Sequence, residues 1–270
     1  MVSRCRRLIR EKERIFAETD TSGEQDFLGM LREKAASPIT WNESIPGIKI
    51  QDLQPKRFND AMDCIISDGI PVDIIYKSTN ILDDPESMEA FQEKMLFLMK
   101  DRTSIIAVND ENEIVGVLVM KAVRKYDYSK MFSKLQIRRG KTFLIVMRFI
   151  NNIYKEVDIF QQFQCEIYLR FYFICVKQTY RKRKIGNLLM WTGLDVARHL
   201  KINVMMGLFP AAKLQSTAHM MGMDVLRHYF FSSWHDKTES LVFRGIGGGN
   251  YSCALMAGYV KDIKADDERK

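Results

Sequence analysis

A chain of 270 residues, 46% hydrophobic and 28% charged, carries the load of a globular protein, enough for one generous domain with its own core. That balance excludes a disordered chain, and no apolar run approaches the ~20 residues of a membrane span. The net charge of +7 favours anionic partners such as phosphate-bearing cofactors, nucleic acid or an acidic membrane surface.

The five cysteines, Cys5, Cys64, Cys165, Cys175 and Cys253, are scattered, with no C-x-x-C spacing. The pattern argues against a metal site and a disulfide framework, and for reduced thiols in the cytoplasm. Residues 1–44 read as an N-terminal appendage, partly disordered. MVSRCRRLIREKERIF is basic without the apolar block of a signal peptide, and TDTSGEQDF is polar and turn-prone. A folded domain is expected over residues 45–263, followed by a charged tail, 264–270.

IPGIKIQDL has the period-two pattern of a first strand. Phe58, Met62, Ile65 and Ile66 suit a short amphipathic helix ended by Asp68-Gly69. Asp84-Pro85-Glu86 places acids and proline where a helix start favours them, and Phe91, Met95, Leu98 and Met99 continue that helix. SIIAV and IVGVLVM, separated by NDENE, form a hairpin. Residues 122–140 are basic and loop-like, and Phe143, Met147, Ile150, Tyr154 and Val157 then recur at helical spacing.

The strongest strand pattern is CEIYLRFYFICV, Cys165 to Val176. Strict alternation gives one apolar face, Cys165, Ile167, Leu169, Phe171, Phe173 and Cys175. The other face carries Glu166, Tyr168, Arg170 and Tyr172 before turning apolar at Ile174 and Val176. This suits a central strand whose first half borders a cleft. The basic run Arg181 to Lys184 follows, then a helix with Ile185, Leu189, Thr192, Val196 and Leu200 on one side. INVMMGLF is a short strand, LQSTAHMMGM a helix stopped by Gly222, and two more strands lie near 224–231 and 252–260, with GIGGGN as a loop between them. The order predicts an α/β layer architecture.

Strand, basic loop and helix together resemble the GNAT superfamily of N-acetyltransferases, whose signature at this junction is Q/R-x-x-G-x-G/A. Here it stands as Arg181-Lys182-Arg183-Lys184-Ile185-Gly186, with Lys184 in place of the middle glycine. The stretch VDIFQQFQCEIYLRFYFICVKQTYRKRKIGNLLM looks like its counterpart in insect arylalkylamine N-acetyltransferases. QSTAHMMGMDVL resembles their S-x-x-x-x-x-x-G-F segment through Ser216 and Gly222, with Met223 replacing the aromatic residue.

The resemblance implies a mixed central sheet, mostly antiparallel with a splayed parallel pair and flanked by helices. It implies acetyl-CoA as cosubstrate, without a metal, and a small, arylalkyl-type amine as acceptor. The pyrophosphate would rest on the amides of Lys182, Arg183, Lys184, Ile185, Gly186 and Asn187, headed by Arg181, because a helix N-terminus offers unpaired N–H groups and partial positive charge. The pantetheine would run beside Ile174, Cys175 and Val176.

The family's usual Glu in a D-E-P-L-like segment is absent from Ser67-Asp68-Gly69-Ile70-Pro71-Val72, where Asp68 is the nearest acid. Ala218 stands where many relatives have a tyrosine acid. Ser216 matches a serine of the insect active sites. Glu166, with Arg170 two turns of the pleat away, offers a base facing the cleft or a structural ion pair. Tyr229 and Trp234 read as an aromatic pocket wall or as core. Two readings of different class follow: a direct acetyl transferase, or a GNAT-fold protein that binds coenzyme A without efficient turnover. A third, a basic nucleic-acid-binding module, lacks an aromatic-rich or recognition-helix pattern. No feature sets an oligomeric state.

Overall fold

The structure is a computed structural model that describes Gly29, Met30 and residues 37–126, 139–235, 240–246 and 248–260. The chain divides into two units, Met1–Pro38 and Ile39–Lys270. In the first, the described Gly29 and Met30 are helical. The second holds the whole sheet. The proposed tail and most of the appendage lie outside the described residues, as does most of the basic stretch at 122–140.

Eight strands form one open sheet. They are β1 (Thr40–Ile45), β2 (Ile48–Asp52), β3 (Ile105–Asn109), β4 (Ile114–Arg124), β5 (Ile167–Val176), β6 (Val204–Phe209), β7 (Asp224–Phe230) and β8 (Ser252–Tyr259). Their spatial order is β1-β2-β3-β4-β5-β6-β8-β7, and every neighbouring pair is antiparallel except β5 and β6. The main helices are α1 (Phe58–Cys64), α2 (Ile74–Ser78), α3 (Pro85–Met99), α4 (Lys141–Lys155), α5 (Ile159–Gln162), α6 (Ile185–His199) and α7 (Ala212–Met220). This is the mixed, mostly antiparallel sheet with flanking helices that the resemblance implies.

Strand β1 lies ahead of the boundary at residue 45. TWNESI reads as polar, and its residues are half-buried or exposed, so period-two burial is weak there. Pairing with β2 and one buried acid hold it. The carboxylate of Asp52 accepts from the Trp41 indole N–H at 2.8 Å and from the Ile39 backbone N–H at 3.0 Å. A side-chain tie of this kind over more than ten residues has no local pattern.

The centre of the sheet is dry. In β4 every residue from Ile114 to Met120 is buried, as expected of a strand covered on both faces. Helices α1, α3 and α4 cover one face with Met62, Phe91, Met95, Phe143 and Phe149. Helix α6 crosses the other face and packs on β3, β4 and β5. Asp84 anchors the first face. Its carboxylate accepts from the Ser87 N–H and hydroxyl at the head of α3, and from the Thr142 N–H in the first turn of α4. These three bonds pull its pKa down to about 2.

A bulge breaks the alternation expected of β5. Opposite β4, Val119 faces Phe173 and Met120 faces Phe171, which leaves Tyr172 as the extra residue. The single apolar face read from the sequence is therefore two half-faces. Phe171 points at α6, where an added Cβ on Gly193 would lie 2.5 Å from its ring. Phe173 and Cys175 point at the opposite layer, against Tyr76, Phe91 and Cys64. Bulges bend strands and re-aim side chains, and they concentrate beside functional sites.

Candidate functional site

The parallel pair is joined for three residues only. Leu169, Arg170 and Phe171 of β5 register with Met205, Met206 and Gly207 of β6. Beyond that, β5 continues beside β4 to Val176 while β6 continues beside β8 to Phe209. The divergence begins at the bulge and opens a cleft whose walls are the freed ends of the two strands.

The loop that leaves β5 is held from inside. The Arg181 guanidinium donates to Val176 O at 3.0 Å and to Asp68 O at 2.7 Å, and Gln178 N–H donates to the Asp68 carboxylate at 2.8 Å. Arg183 lies 5.0 Å from the Tyr180 ring centroid, and Asn109 donates to the Tyr180 hydroxyl. Lys182 and Lys184 are exposed and take left-handed backbone angles, φ +66° and +63°. For a side chain other than glycine that conformation costs roughly 1–2 kcal/mol. The backbone thus keeps the shape a glycine would give it, although the residue at the middle glycine position is Lys184.

The geometry leaves the head of α6 open. Leu188 N–H is the first to reach a carbonyl at this end, Lys184 O at 3.0 Å. The N–H groups of Ile185, Gly186 and Asn187 find no acceptor among the described residues. A Cβ added to Gly186 would meet only the Val176 side chain, at 3.8 Å. Packing inside the protein therefore does not demand a glycine there; close approach of something else would. Open donors, a cationic loop and unfilled space fit a pyrophosphate.

The cleft continues through the splay to the face covered by α3 and α4. Its lining includes Ile174, Phe171 and Met190 toward α6, and Asp73, Tyr76, Lys94, Tyr154 and Arg170 on the far side. Asp73 caps α2: its Oδ1 accepts from Ile75 N–H at 3.0 Å and Tyr76 N–H at 3.1 Å, and Oδ2 has no donor among the described residues. Although part of Asp73 reaches solvent, its carboxyl lies deep enough that desolvation outweighs those two bonds and holds its pKa up at about 6. The Tyr76 phenol is pushed above its ordinary range, first by burial and then by the Asp73 charge, so it stays protonated. Burial does the same to Tyr154.

Lys94 is 7% exposed. Burial, with a further push from the Arg170 charge, brings its pKa down to about 7. The Arg170 guanidinium lies 3.5 Å from the Tyr154 ring centroid and 4.3 Å from that of Tyr172.

The acids expected from sequence fall elsewhere. Glu166 sits exposed just ahead of β5 and pairs with Lys125 at 3.1 Å, not with Arg170. Asp68 clamps the Gln178 end of the loop and does not line the cleft. Ser216 is exposed on α7, whose cleft-lining side chain is Leu214. Ile174 does line the cleft, and Val176 faces Gly186. Cys175 turns the other way, its sulfur 3.8 Å from that of Cys64. Asn187 accepts from Thr217 at 3.5 Å and ties α6 to α7. Trp234 packs edge-on against Phe149 in the core.

The sequence held signals for two of the missed residues. Lys94 lies three positions after Phe91 and four before Leu98, on the stripe that must be buried. Asp73 directly precedes a short helix, a capping position that conceals its second face.

No protein-family model matches the chain, and no curated protein matches it in sequence. Solved structures do match in fold. Arylalkylamine N-acetyltransferase 2 from Aedes aegypti superposes with a TM-score of 0.73 at 16% identity, over 79% of this chain and 99% of that one. A putative arylalkylamine N-acetyltransferase 7 from the same mosquito gives 0.73 at 18%, over 84% and 98%. The Drosophila melanogaster polyamine N-acetyltransferase, which forms N-acetylagmatine, gives 0.68 at 15%, over 78% and 99%. With its parallel pair joined for three residues and then splayed, this chain has the fold seen in the insect arylalkylamine N-acetyltransferases.

Proposed function

We propose that this protein is an N-acetyltransferase that moves an acetyl group from acetyl-CoA directly to a small amine, in the cytoplasm. One observation carries the reading. The β5–β6 pairing stops at Phe171 and Gly207, and the cleft it opens is lined by Ile174 of β5 and Met190 of α6 on one side and, as its carboxylate among the described residues, by Asp73 on the other. The bound cosubstrate supplies an activated thioester. Lys182 to Asn187 receive its pyrophosphate through backbone N–H groups, and Ile174 and Val176 flank its pantetheine arm.

An amine must be neutral to attack, and a carboxylate near pH 6 is suited to take its proton. Asp73 assumes this role in place of the family's Glu, at whose segment the chain has the buried Ile70. A protonated phenol, Tyr76 or Tyr154, can return a proton to the leaving thiolate. The rest of catalysis is positioning, which this fold performs by holding both reactants in one cleft. The absence of a conventional base favours the second reading, a coenzyme A-binding protein without turnover, if Asp73 does not serve.

Calorimetry with acetyl-CoA tests the cofactor half. The expected result is one site per chain, with Gly186→Val weakening it by about tenfold or more because the side chain fills the approach to the amides. Absence of binding by the wild-type protein would sink both coenzyme A readings.

A further inference from the structure

Lys94 is a buried amine with no anion beside it among the described residues. On α3 the acids face outward, where Glu89 and Glu93 meet Arg139. The residue turned into the cleft is the lysine. Its ammonium contacts the Met147 thioether at 2.8 Å and lies 5.9 Å from the Phe143 ring centroid, and no carboxylate of the described residues reaches it. Thioether sulfur is a weak acceptor, so the charge is poorly satisfied. A second cation, Arg170, stands close enough for its charge to act on Lys94. Among the described residues of the cleft lining the carboxylate is Asp73, which is half committed to capping α2 and makes no bond to Lys94. Folding alone gives no reason to bury the Lys94 amine on a thioether, which costs free energy until a counter-charge arrives.

The counter-charge does not come from the coenzyme. Its phosphates belong at the head of α6, on the opposite face of the sheet from α3, and the acetyl thioester that enters the splay is neutral. An anion at Lys94 must therefore arrive with the acceptor. Resting on the acetyltransferase reading above, we propose that the acceptor is an amine that carries its own carboxylate, an amino acid with an apolar or aromatic side chain. Lys94 and Arg170 hold the carboxylate, Asp73 takes the amine proton, and Tyr154, Tyr172 and Ile150 wall the side chain.

Matched pairs test this: phenylalanine against phenethylamine, and tryptophan against tryptamine. With acetyl-CoA, the amino acid of each pair is expected to be favoured by about tenfold or more in kcat/KM, the range of one charge-assisted bond. Lys94→Met, similar in size and free of charge, is expected to cut that ratio by about tenfold, leaving only what Arg170 contributes, while the circular dichroism spectrum stays unchanged. The same ratios are to be read by calorimetric binding of each compound, so that a protein without turnover still gives an answer. Equal or better use of the plain amines, or a preference that Lys94→Met leaves undiminished, would overturn the proposal and leave the acetyltransferase reading intact. Failure to bind acetyl-CoA would strike that reading instead, while the binding ratios still decide the carboxylate question.

Discussion

At the scale of single residues, Asp73 and Lys94 line the cleft and burial displaces both from their ordinary titration ranges. If Asp73 is the base, kcat/KM climbs with pH through about 6 as its carboxyl ionises. Asp73→Asn is expected to remove that limb and to lower kcat by roughly 10²–10⁴-fold. Glu166→Gln, which breaks only an exposed ion pair, is expected to leave the rate within about twofold of wild type. Lys94 contributes to stability in the opposite sense to an ordinary surface lysine. Its folded pKa, about 7, lies below the ordinary 10.5, so between those values the unfolded chain holds the extra proton. Stability therefore rises with pH across that window. Lys94→Met flattens the rise and raises the Tm at pH 7, which a thermal melt series checks.

At the scale of elements, the loop before α6 and the bulge in β5 shape the site. Lys184→Gly is expected to raise stability by about 1 kcal/mol, since glycine adopts positive φ without strain. A denaturant titration reads that gain. Gly193→Ala acts in the other direction. Its new methyl would press on the Phe171 ring that begins the splay, and a loss of about 1–3 kcal/mol is expected from the same measurement.

The elements themselves were largely legible. Period two marked β2 and β5, two apolar runs around NDENE marked β3 and β4, period 3.6 marked α3, α4 and α6, and Asp84-Pro85 marked the start of α3. Strand β1 was not, because its polar residues are held by Asp52 from a neighbouring strand. Nor was the bulge at Tyr172: alternation in one strand cannot show where its partner loses a residue. That single hidden residue decides which side chains face the cleft. It sends Phe173 and Cys175 to the layer opposite Phe171, and a flat reading of the strand put Glu166 and Arg170 forward together. Arg170 does line the cleft, whereas Glu166 precedes the strand and reaches solvent.

At the scale of the molecule, a central sheet dry on both faces is interrupted at one place, between β5 and β6. The loop from Arg181 to Gly186, where the proposal puts the phosphates, could be picked out in the sequence because it is local. The polar lining of the cleft could not, since Asp73, Lys94, Tyr154 and Arg170 come from four separate parts of the chain and meet only in the folded protein. The most direct test of the whole account is thiol release from acetyl-CoA across a panel of amines and amino acids, with the acetylated product identified by mass. The account predicts acceptor-dependent thiol release, well above hydrolysis without an acceptor, and one N-acetyl product for each thiol. Tight acetyl-CoA binding with no acceptor-dependent release would contradict it and make this a binding protein built on a transferase fold.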